Sequence, residues 1–218
     1  MPTMNGADVM PVSEPPAVAL RWLSGRELYR HLPQLARLRT EVFGDWPYLY
    51  AGDADYEERY LAAFAAAPGA VIVGAFAGDD DRMVGAATAC PLSEADEAFA
   101  RPFREAEHDQ ADWFYFGESV LDPSYRGRGV GVAFFREREA AARGQGFLRA
   151  TFCAVERSPG DPRRPSGHVP LDAFWRRRGY APLDLETRYA WRDRGERTET
   201  DKTMRFWGRT LPKREDVA

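Results

Sequence analysis

The 218-residue sequence predicts a single α/β domain built on a mixed β-sheet. Three observations lead to this fold class. Apolar residues recur at helical spacing in some segments and alternate in others. Residues 113–155 are predicted to run strand, helix, strand, an order that requires a crossover and favours a parallel strand pair. Residues 70–90 hold two short apolar runs around a Gly-Asp turn, which predicts an antiparallel hairpin.

The first half of the chain is predicted to place two helices between strands. Alternation in residues 17–23 predicts the first strand, and Ser24 is a suitable cap for a helix running toward Val42. We expect Pro33 to interrupt or divide that helix, because proline removes a hydrogen bond from a helix interior. A second helix is predicted over residues 56–67. The hairpin strands that follow are residues 70–77 and 83–90.

The second half is predicted to contain the central strand of the sheet. Residues 113–121 are apolar on both faces, which is typical of a strand covered on both sides. We expect one face to carry Phe114, Phe116 and Val120, and the other Trp113, Tyr115 and Leu121. The remaining predicted elements are helices at 94–107, 130–143 and 171–178 and strands at 147–155, 189–192 and 203–210.

The composition excludes several classes of protein. With 30 basic and 34 acidic residues, the formal charge of −4 gives no general affinity for nucleic acid or anionic membranes. No apolar run reaches the roughly 18 residues that cross a bilayer. Cys90 and Cys153 lack the spacing of a disulfide framework or a zinc site, so we predict no metal. Residues 1–16 lack a secretory signal and are predicted to form a flexible tail, and we expect a cytoplasmic enzyme.

The loop of residues 122–131 lies between a predicted buried strand and a predicted helix. Backbone N–H groups and the helix dipole favour an anion at such a junction. The loop's glycines let the backbone approach a pyrophosphate, because no Cβ intervenes, and its arginines supply positive charge without a metal. A dinucleotide fingerprint would need glycine where Val132 stands, and no Walker triplet is present. The candidate cofactor-binding residues are Arg126, Gly127, Arg128, Gly129, Val130 and Gly131.

Two segments of the chain resemble motifs of the GNAT superfamily of N-acetyltransferases. Residues 126–131, Arg-Gly-Arg-Gly-Val-Gly, are similar to the family's acetyl-CoA loop, Gln/Arg-x-x-Gly-x-Gly/Ala. Residues 174–180, Phe-Trp-Arg-Arg-Arg-Gly-Tyr, resemble its late helix-to-strand element. The resemblance extends over about residues 20–211 and is specific only from 113 to 180.

This resemblance implies a fold, a cofactor and a way of binding it. It implies a mixed, splayed sheet flanked by helices over residues 17–212, with acetyl-CoA as the cofactor. It also implies that pantetheine pairs with the strand backbone near Val120 and Leu121. The pyrophosphate would then lie on the N–H groups of residues 127–131.

Glu118 is the candidate general base, since it is a carboxylate in an otherwise apolar strand. The resemblance implies direct attack of an amine on the thioester, which needs a group to accept the amine's proton. We expect burial to raise the pKa of Glu118 toward a useful range. The alternative is a structural glutamate that is held by an arginine or a sheet-edge donor.

The general acid is left open by the sequence. Many family members carry a tyrosine where Trp175 stands, and an indole N–H is not a practical acid. Water, Tyr125 or a tyrosine of the 48–50 segment are the substitutes, and the residues do not choose among them. Cys153 is either a covalent nucleophile or, as we favour, a small buried thiol.

The acceptor pocket is predicted around the segment that follows the first helix. The resemblance implies that Trp46, Tyr48 and Tyr50 line it, with Asp45, Asp53 and Asp55 attracting a cation. The alternative is an aromatic cluster that packs this segment onto the core. Residues 157–164 and 176–178 are rich in arginine and either meet the 3′-phosphate of CoA or form a solvated surface.

The sequence therefore predicts an enzyme that moves an acetyl group to a primary amine of a small molecule. Two alternatives are a longer acyl donor and a non-catalytic acyl-CoA-binding module. The longer acyl donor is suggested by the small residues Gly85, Ala86 and Ala87. The binding module is suggested by the tyrosine that is missing at position 175. The acceptor stays open among a protein lysine, an aminoglycoside-like antibiotic and a polyamine. The oligomeric state, including a homodimer, also stays open.

Overall fold

A computed structural model describes residues 17–78 and 81–212, so the predicted tail at 1–16 lies outside the described residues. Within those ranges the chain forms seven strands and five α-helices. The strands are Val18–Leu23 (β1), Val71–Ala77 (β2), Arg82–Pro91 (β3), Trp113–Leu121 (β4), Arg149–Val155 (β5), Ala181–Trp191 (β6) and Thr200–Thr210 (β7). The helices are Gly25–Phe43 (α1), Ala54–Ala66 (α2), Glu97–Glu105 (α3), Val130–Gly144 (α4) and Asp172–Arg176 (α5).

The strands form one sheet in the order β1-β2-β3-β4-β5-β7-β6. All neighbours are antiparallel except β4 and β5, which are parallel as the crossover predicted. The parallel ladder contains only three residue pairs and ends at Tyr115 opposite Thr151. Beyond that pair the two strands diverge, so the edge of β4 that faces β5 is unpaired over its last residues. The prediction of a mixed, splayed sheet is confirmed.

A bulge interrupts β4 just after this divergence. Gly117 and Glu118 lie opposite a single residue of β3, Thr88, between two regular pairs. A Cβ on Gly117 would be 2.5 Å from the Thr88 hydroxyl, so only glycine fits there without a shift. The Thr88 hydroxyl also accepts a hydrogen bond from the Glu118 N–H at 2.9 Å. The flanking pairs are Ala89 with Phe116 and Ala87 with Ser119.

The bulge exchanges the two faces of β4, because side chains alternate strictly only in a regular strand. Phe114 and Phe116 pack in the core under α4, whereas Val120 packs in the core under α1 and α2. Leu121 contacts the α4 side. The prediction that Val120 shares a face with Phe114 and Phe116 is therefore wrong.

The helices cover the sheet on both faces. The apolar stripes of α1 and α2 bury Leu28, Leu35 and Leu61 against β2 and β3. On the opposite face α4 buries Phe134 and Phe135 against the central strands. Helix α3 packs against the start of β4 and against β6 and β7. In the described part of the chain, no helix has both the length and the apolar character that crossing a bilayer requires.

Several predicted boundaries need correction. Helix α1 continues through Pro33, which is exposed, so water can solvate the carbonyl that loses its partner. The helix predicted at 94–107 is a 3-10 turn at Leu92–Glu94 followed by the shorter α3. Strand β6 begins at Ala181 and not at 189, and the helix predicted at 171–178 contains only Asp172–Arg176.

Candidate active site

A cleft of about 1670 Å³ opens where β4 and β5 diverge. Pockets for a single drug-sized ligand usually hold about 300–1,000 Å³, so this cleft has room for two ligands at once. Its walls come from α1, the segment before α2, β4, the loop before α4, and the loop between β5 and α5. The predicted site residues that line it are Trp46, Tyr48, Tyr50, Glu118, Leu121, Arg126, Gly127, Gly129 and Gly131.

Three predicted cofactor residues do not line this cleft. The side chains of Val120 and Val130 are buried in the two cores. If they bind cofactor, they do so through their backbone groups. The guanidinium of Arg128 lies 5.9 Å from the centre of the Tyr125 ring, beside a smaller hollow next to β1.

The loop before α4 contains two glycines in a backbone conformation that favours this residue type. Gly127 and Gly129 have φ values of 77° and 82°, which side-chain-bearing residues rarely adopt. A Cβ at either position would meet open space, so the requirement is conformational and not steric. Gly129 is the N-cap of α4, and the first N–H groups of a helix have no partner within it. Gly129 and Gly131 line the cleft, so the N-terminal end of the helix dipole lies beside it, where an anion is favoured.

Glu118 lies on the other face of β4, in a cluster of buried polar groups. It forms an ion pair with Arg39 of α1, and Arg39 Nε donates to Glu57 Oε2 of α2 at 2.5 Å. The Thr88 hydroxyl donates to Glu118 Oε2 at 2.5 Å. Only 9% of the Arg39 side chain, 1% of Glu57 and 12% of Glu118 are exposed. Two carboxylates thus share one arginine, which leaves this part of the cleft with a net negative charge.

The pKa of Glu118 is lower than its ordinary value, contrary to expectation. Burial raises this pKa, but the Arg39 charge and hydrogen bonds from Thr88, Arg39 and Tyr60 lower it and outweigh burial. Glu118 is therefore ionised at neutral pH. It is an available proton acceptor, but it is a weaker base than a desolvated carboxyl without partners would be.

A buried arginine reaches the same bulge from the opposite side. Arg138 of α4 is 2% exposed, and its guanidinium donates to the carbonyls of Thr88 at 3.4 Å and Glu118 at 3.2 Å. Its Nη2 also donates to the Ser119 hydroxyl oxygen at 2.8 Å. Burial lowers the pKa of Arg138 to about 10, so it is still charged at neutral pH.

The comparison with known families decides the class of the protein. The sequence model of the Acetyltransferase (GNAT) family matches residues 26–164, which is more than half of the chain. The chain belongs to this family. Membership confirms that it is an acyltransferase and that acetyl-CoA is its cofactor. A comparison with curated protein sequences finds no match.

Solved structures share the fold of this GNAT acetyltransferase. A ribosomal-protein-alanine N-acetyltransferase from Brucella melitensis is 14% identical, covers 88% of this chain and 99% of that one, and gives a TM-score of 0.58. The Salmonella typhimurium protein yncA, solved with its cofactor acetyl-CoA, is 10% identical over 90% and 95%, with a TM-score of 0.56. An acetyltransferase from Thermus thermophilus is 16% identical over 91% and 100%, with a TM-score of 0.55. At such identities the likeness is one of fold.

The segment that carries Trp46, Tyr48 and Tyr50 is held in place by Arg157. The Arg157 guanidinium donates to the carbonyls of Pro47 at 2.8 Å and Tyr48 at 2.7 Å, and to the buried Asp193 carboxylate at 2.8 Å. Arg157 is thus an internal anchor in this GNAT protein and not a free ligand for a 3′-phosphate. Arg164 and Arg178 do line the cleft.

The acids suggested for the leaving thiolate are poorly placed or weak. Tyr125 is buried outside the cleft, and its hydroxyl accepts a hydrogen bond from Arg82. Burial raises the pKa of Tyr48 and of Tyr50 well above the ordinary value, so both stay protonated at neutral pH. Trp175 packs edge-on against the rings of Phe152 and Trp207, as a core aromatic does.

Two further expectations can be compared with the geometry. Burial raises the pKa of the Cys153 thiol to about 12, which favours the interpretation of an inert thiol over a nucleophile. The space beside Gly85 is filled, since a Cβ there would lie 2.8 Å from Leu121 and 3.2 Å from Phe134. The space beside Gly85 therefore does not hold a longer acyl chain.

The cleft contains three buried charged residues that the sequence analysis did not single out, Arg39, Glu57 and Arg138. Each lies in the buried stripe of a helix, one turn from a buried apolar residue, and that position is a signal that sequence reasoning can detect. Arg157 belongs to the arginine-rich stretch that the sequence pointed to, but its role as an anchor of the aromatic segment has no local signal.

Proposed function

We propose that this chain transfers the acetyl group of acetyl-CoA to the primary amine of a small molecule, with Glu118 as general base. One observation carries the proposal. The N-terminus of α4, which begins after Gly129, and the ionised carboxylate of Glu118 line the same cleft. They lie on opposite sides of the bulged strand β4. Acetyl transfer needs an anion-binding surface for the phosphates of the acetyl donor and a group that takes the proton of the attacking amine. This cleft contains both.

The residues around the loop before α4 fit the cofactor. The N–H groups at Gly129 and Gly131 and the charge of Arg126 would hold the pyrophosphate, and the unpaired edge of β4 near Leu121 would hold the pantetheine. When bound, acetyl-CoA supplies an activated acyl group. The yncA protein, which shares the fold, was solved with acetyl-CoA, and this supports the assignment.

Glu118 would act late in the attack. An amine nitrogen becomes far more acidic once its bond to the acyl carbon forms, so a carboxylate of low pKa suffices to take the proton. Because Arg39 keeps Glu118 ionised, the carboxylate is also able to attract the acceptor as an ammonium ion. The ammonium ion would release one proton to water before the neutral amine attacks. Positioning of the two substrates would supply most of the remaining rate enhancement.

A small cationic acceptor is the class that the acceptor side favours. Trp46, Tyr48 and Tyr50 form aromatic walls, and the shared arginine leaves a net negative charge at Glu57 and Glu118. Trp46 contacts His168 across the cleft, with 6.0 Å between the ring centres. This contact narrows the cleft, which disfavours a folded protein as the acceptor. The free, buried cysteines are consistent with a reducing compartment, and we place the reaction in the cytoplasm.

The test is thiol release from acetyl-CoA over a panel of primary amines, with the wild type and Glu118→Gln. We expect kcat to fall about a hundredfold or more in Glu118→Gln while the affinity for CoA is unchanged. Glu41→Gln, which alters an exposed carboxylate on α1, is the matched control and should behave as wild type. Equal turnover in Glu118→Gln would refute the base. Tight CoA binding without turnover on any amine would favour the binding-module alternative.

A further inference from the structure

The Arg138–Ser119 pair has no part in the function proposed so far. Arg138 is among the largest fully buried side chains, and its hydrogen-bond acceptors in the described part of the chain are all neutral. A buried cation without a carboxylate acceptor is costly. The charge of Arg138 lies on the side of the bulge that faces α4, the helix that follows the cofactor loop. The guanidinium satisfies the two carbonyls at the bulge, and its bond to the Ser119 hydroxyl is additional to that structural role.

Ser119 connects that charge to the cleft. Its side chain is exposed and lines the cleft, and β4 pairs with β3 at this residue through Ala87. The hydroxyl oxygen accepts from Arg138, so its own proton is free to be donated to another group. Glu118 points to the acceptor side and Ser119, next to it, points to the α4 side. The strand therefore presents a proton acceptor and a hydrogen-bond donor on its two faces.

We infer that the Ser119 hydroxyl, polarised by Arg138, donates a hydrogen bond to the departing thiolate of CoA. This inference rests on the proposed function and extends it to the leaving group. Trp175 offers no acid at that side of the cleft, and Tyr125 is outside it. A serine is too weak an acid to give up its proton to a thiolate, so the role is stabilisation of charge and not proton transfer. Hydrogen bonds to charged groups are the stronger kind.

The test measures the pKa of the CoA thiol when CoA is bound, from the ultraviolet absorbance of the thiolate during a pH titration. In the wild type we expect a thiol pKa below that of free CoA. In Ser119→Ala it should rise by about one unit, a tenfold weaker preference for the thiolate. Ser119→Thr keeps the hydroxyl and suits a strand, so it should retain the wild-type value. Desulfo-CoA, which lacks the thiol, should bind all three proteins equally.

Arg138 is a positioning residue in this scheme, because it acts through Ser119. Arg138→Met should raise the bound thiol pKa as Ser119→Ala does, and Arg138→Lys should restore part of the shift. An unchanged thiol pKa in Ser119→Ala would overturn the inference while leaving acetyl transfer intact. Failure of the wild type to bind CoA would instead overturn the proposed function, and this inference with it.

Discussion

Replacement of Arg39 by methionine should destabilise the protein strongly. Arg39 is the cation shared by Glu57 and Glu118, and all three side chains are at most 12% exposed. Removing one partner of a buried ion pair costs about 3–5 kcal/mol, because the charges left behind stay buried and unpaired. For a chain of this size that corresponds to a fall in Tm of roughly 6–20 °C.

The assay is urea unfolding of Arg39→Met at pH 7, with Arg37→Met as the matched control. Arg37 lies on the same helix, but its ion pair with Glu41 is exposed and 3.9 Å long, so its loss should change the unfolding free energy by no more than about 0.5 kcal/mol. The double variant Arg39→Met/Glu57→Gln should recover part of the loss. Equal unfolding midpoints for Arg39→Met and Arg37→Met would refute the interpretation of a buried cluster.

The same variant gives a pH dependence with a defined sign. In the folded protein the pKa of Glu118 lies below its unfolded value of 4.5, and Arg39 is the strongest cause of that lowering. The stability that Arg39 confers through Glu118 is therefore complete above pH 4.5 and is lost as the pH falls through the folded pKa. The difference between wild type and Arg39→Met should shrink on acidification. A constant difference from about pH 7 to about pH 3 would contradict this linkage.

Three further predictions concern the loops and the thiols. Gly129→Ala should weaken CoA binding and cost about 1–2 kcal/mol, measured by titration and urea unfolding, whereas Gly144→Ala at the end of α4 should do neither. Arg157→Met should raise the KM for the amine about tenfold with a smaller change in kcat, because the aromatic segment loses charged hydrogen bonds. Burial raises the pKa of Cys90 and Cys153 to about 12, so a disulfide reagent at about pH 7.5 should label them only in denaturant.

Much of the fold could be predicted from local patterns. The β2–β3 hairpin, the central strand β4 and helix α4 were predicted close to their observed bounds, because turn residues and periodicity define them. Strand β6 was predicted too short, since its first half contains Pro182 and a register shift against β7, and both interrupt the local pattern. The bulge at Gly117 and Glu118 has one local signal, a glycine inside an apolar strand, but its geometry depends on the Thr88 side chain of the neighbouring strand.

The candidate site was predicted in part. The glycines of the cofactor loop were found because glycines between a buried strand and a helix are typical of an anion-binding loop. The raised pKa expected for Glu118 was wrong, because burial can be judged from one strand, whereas the charge of Arg39 comes from a helix far earlier in the chain. Contacts between distant elements decide the electrostatics of a site, and a single sequence does not give them.

The central claim is that donor and acceptor occupy one cleft together and that the acetyl group passes directly between them. Initial-velocity kinetics test this most directly, with acetyl-CoA varied at several fixed concentrations of an amine from the panel. The account predicts intersecting double-reciprocal lines, which indicate that both substrates are bound before transfer. Parallel lines would indicate a covalent acetyl-enzyme such as one on Cys153, and would contradict the account.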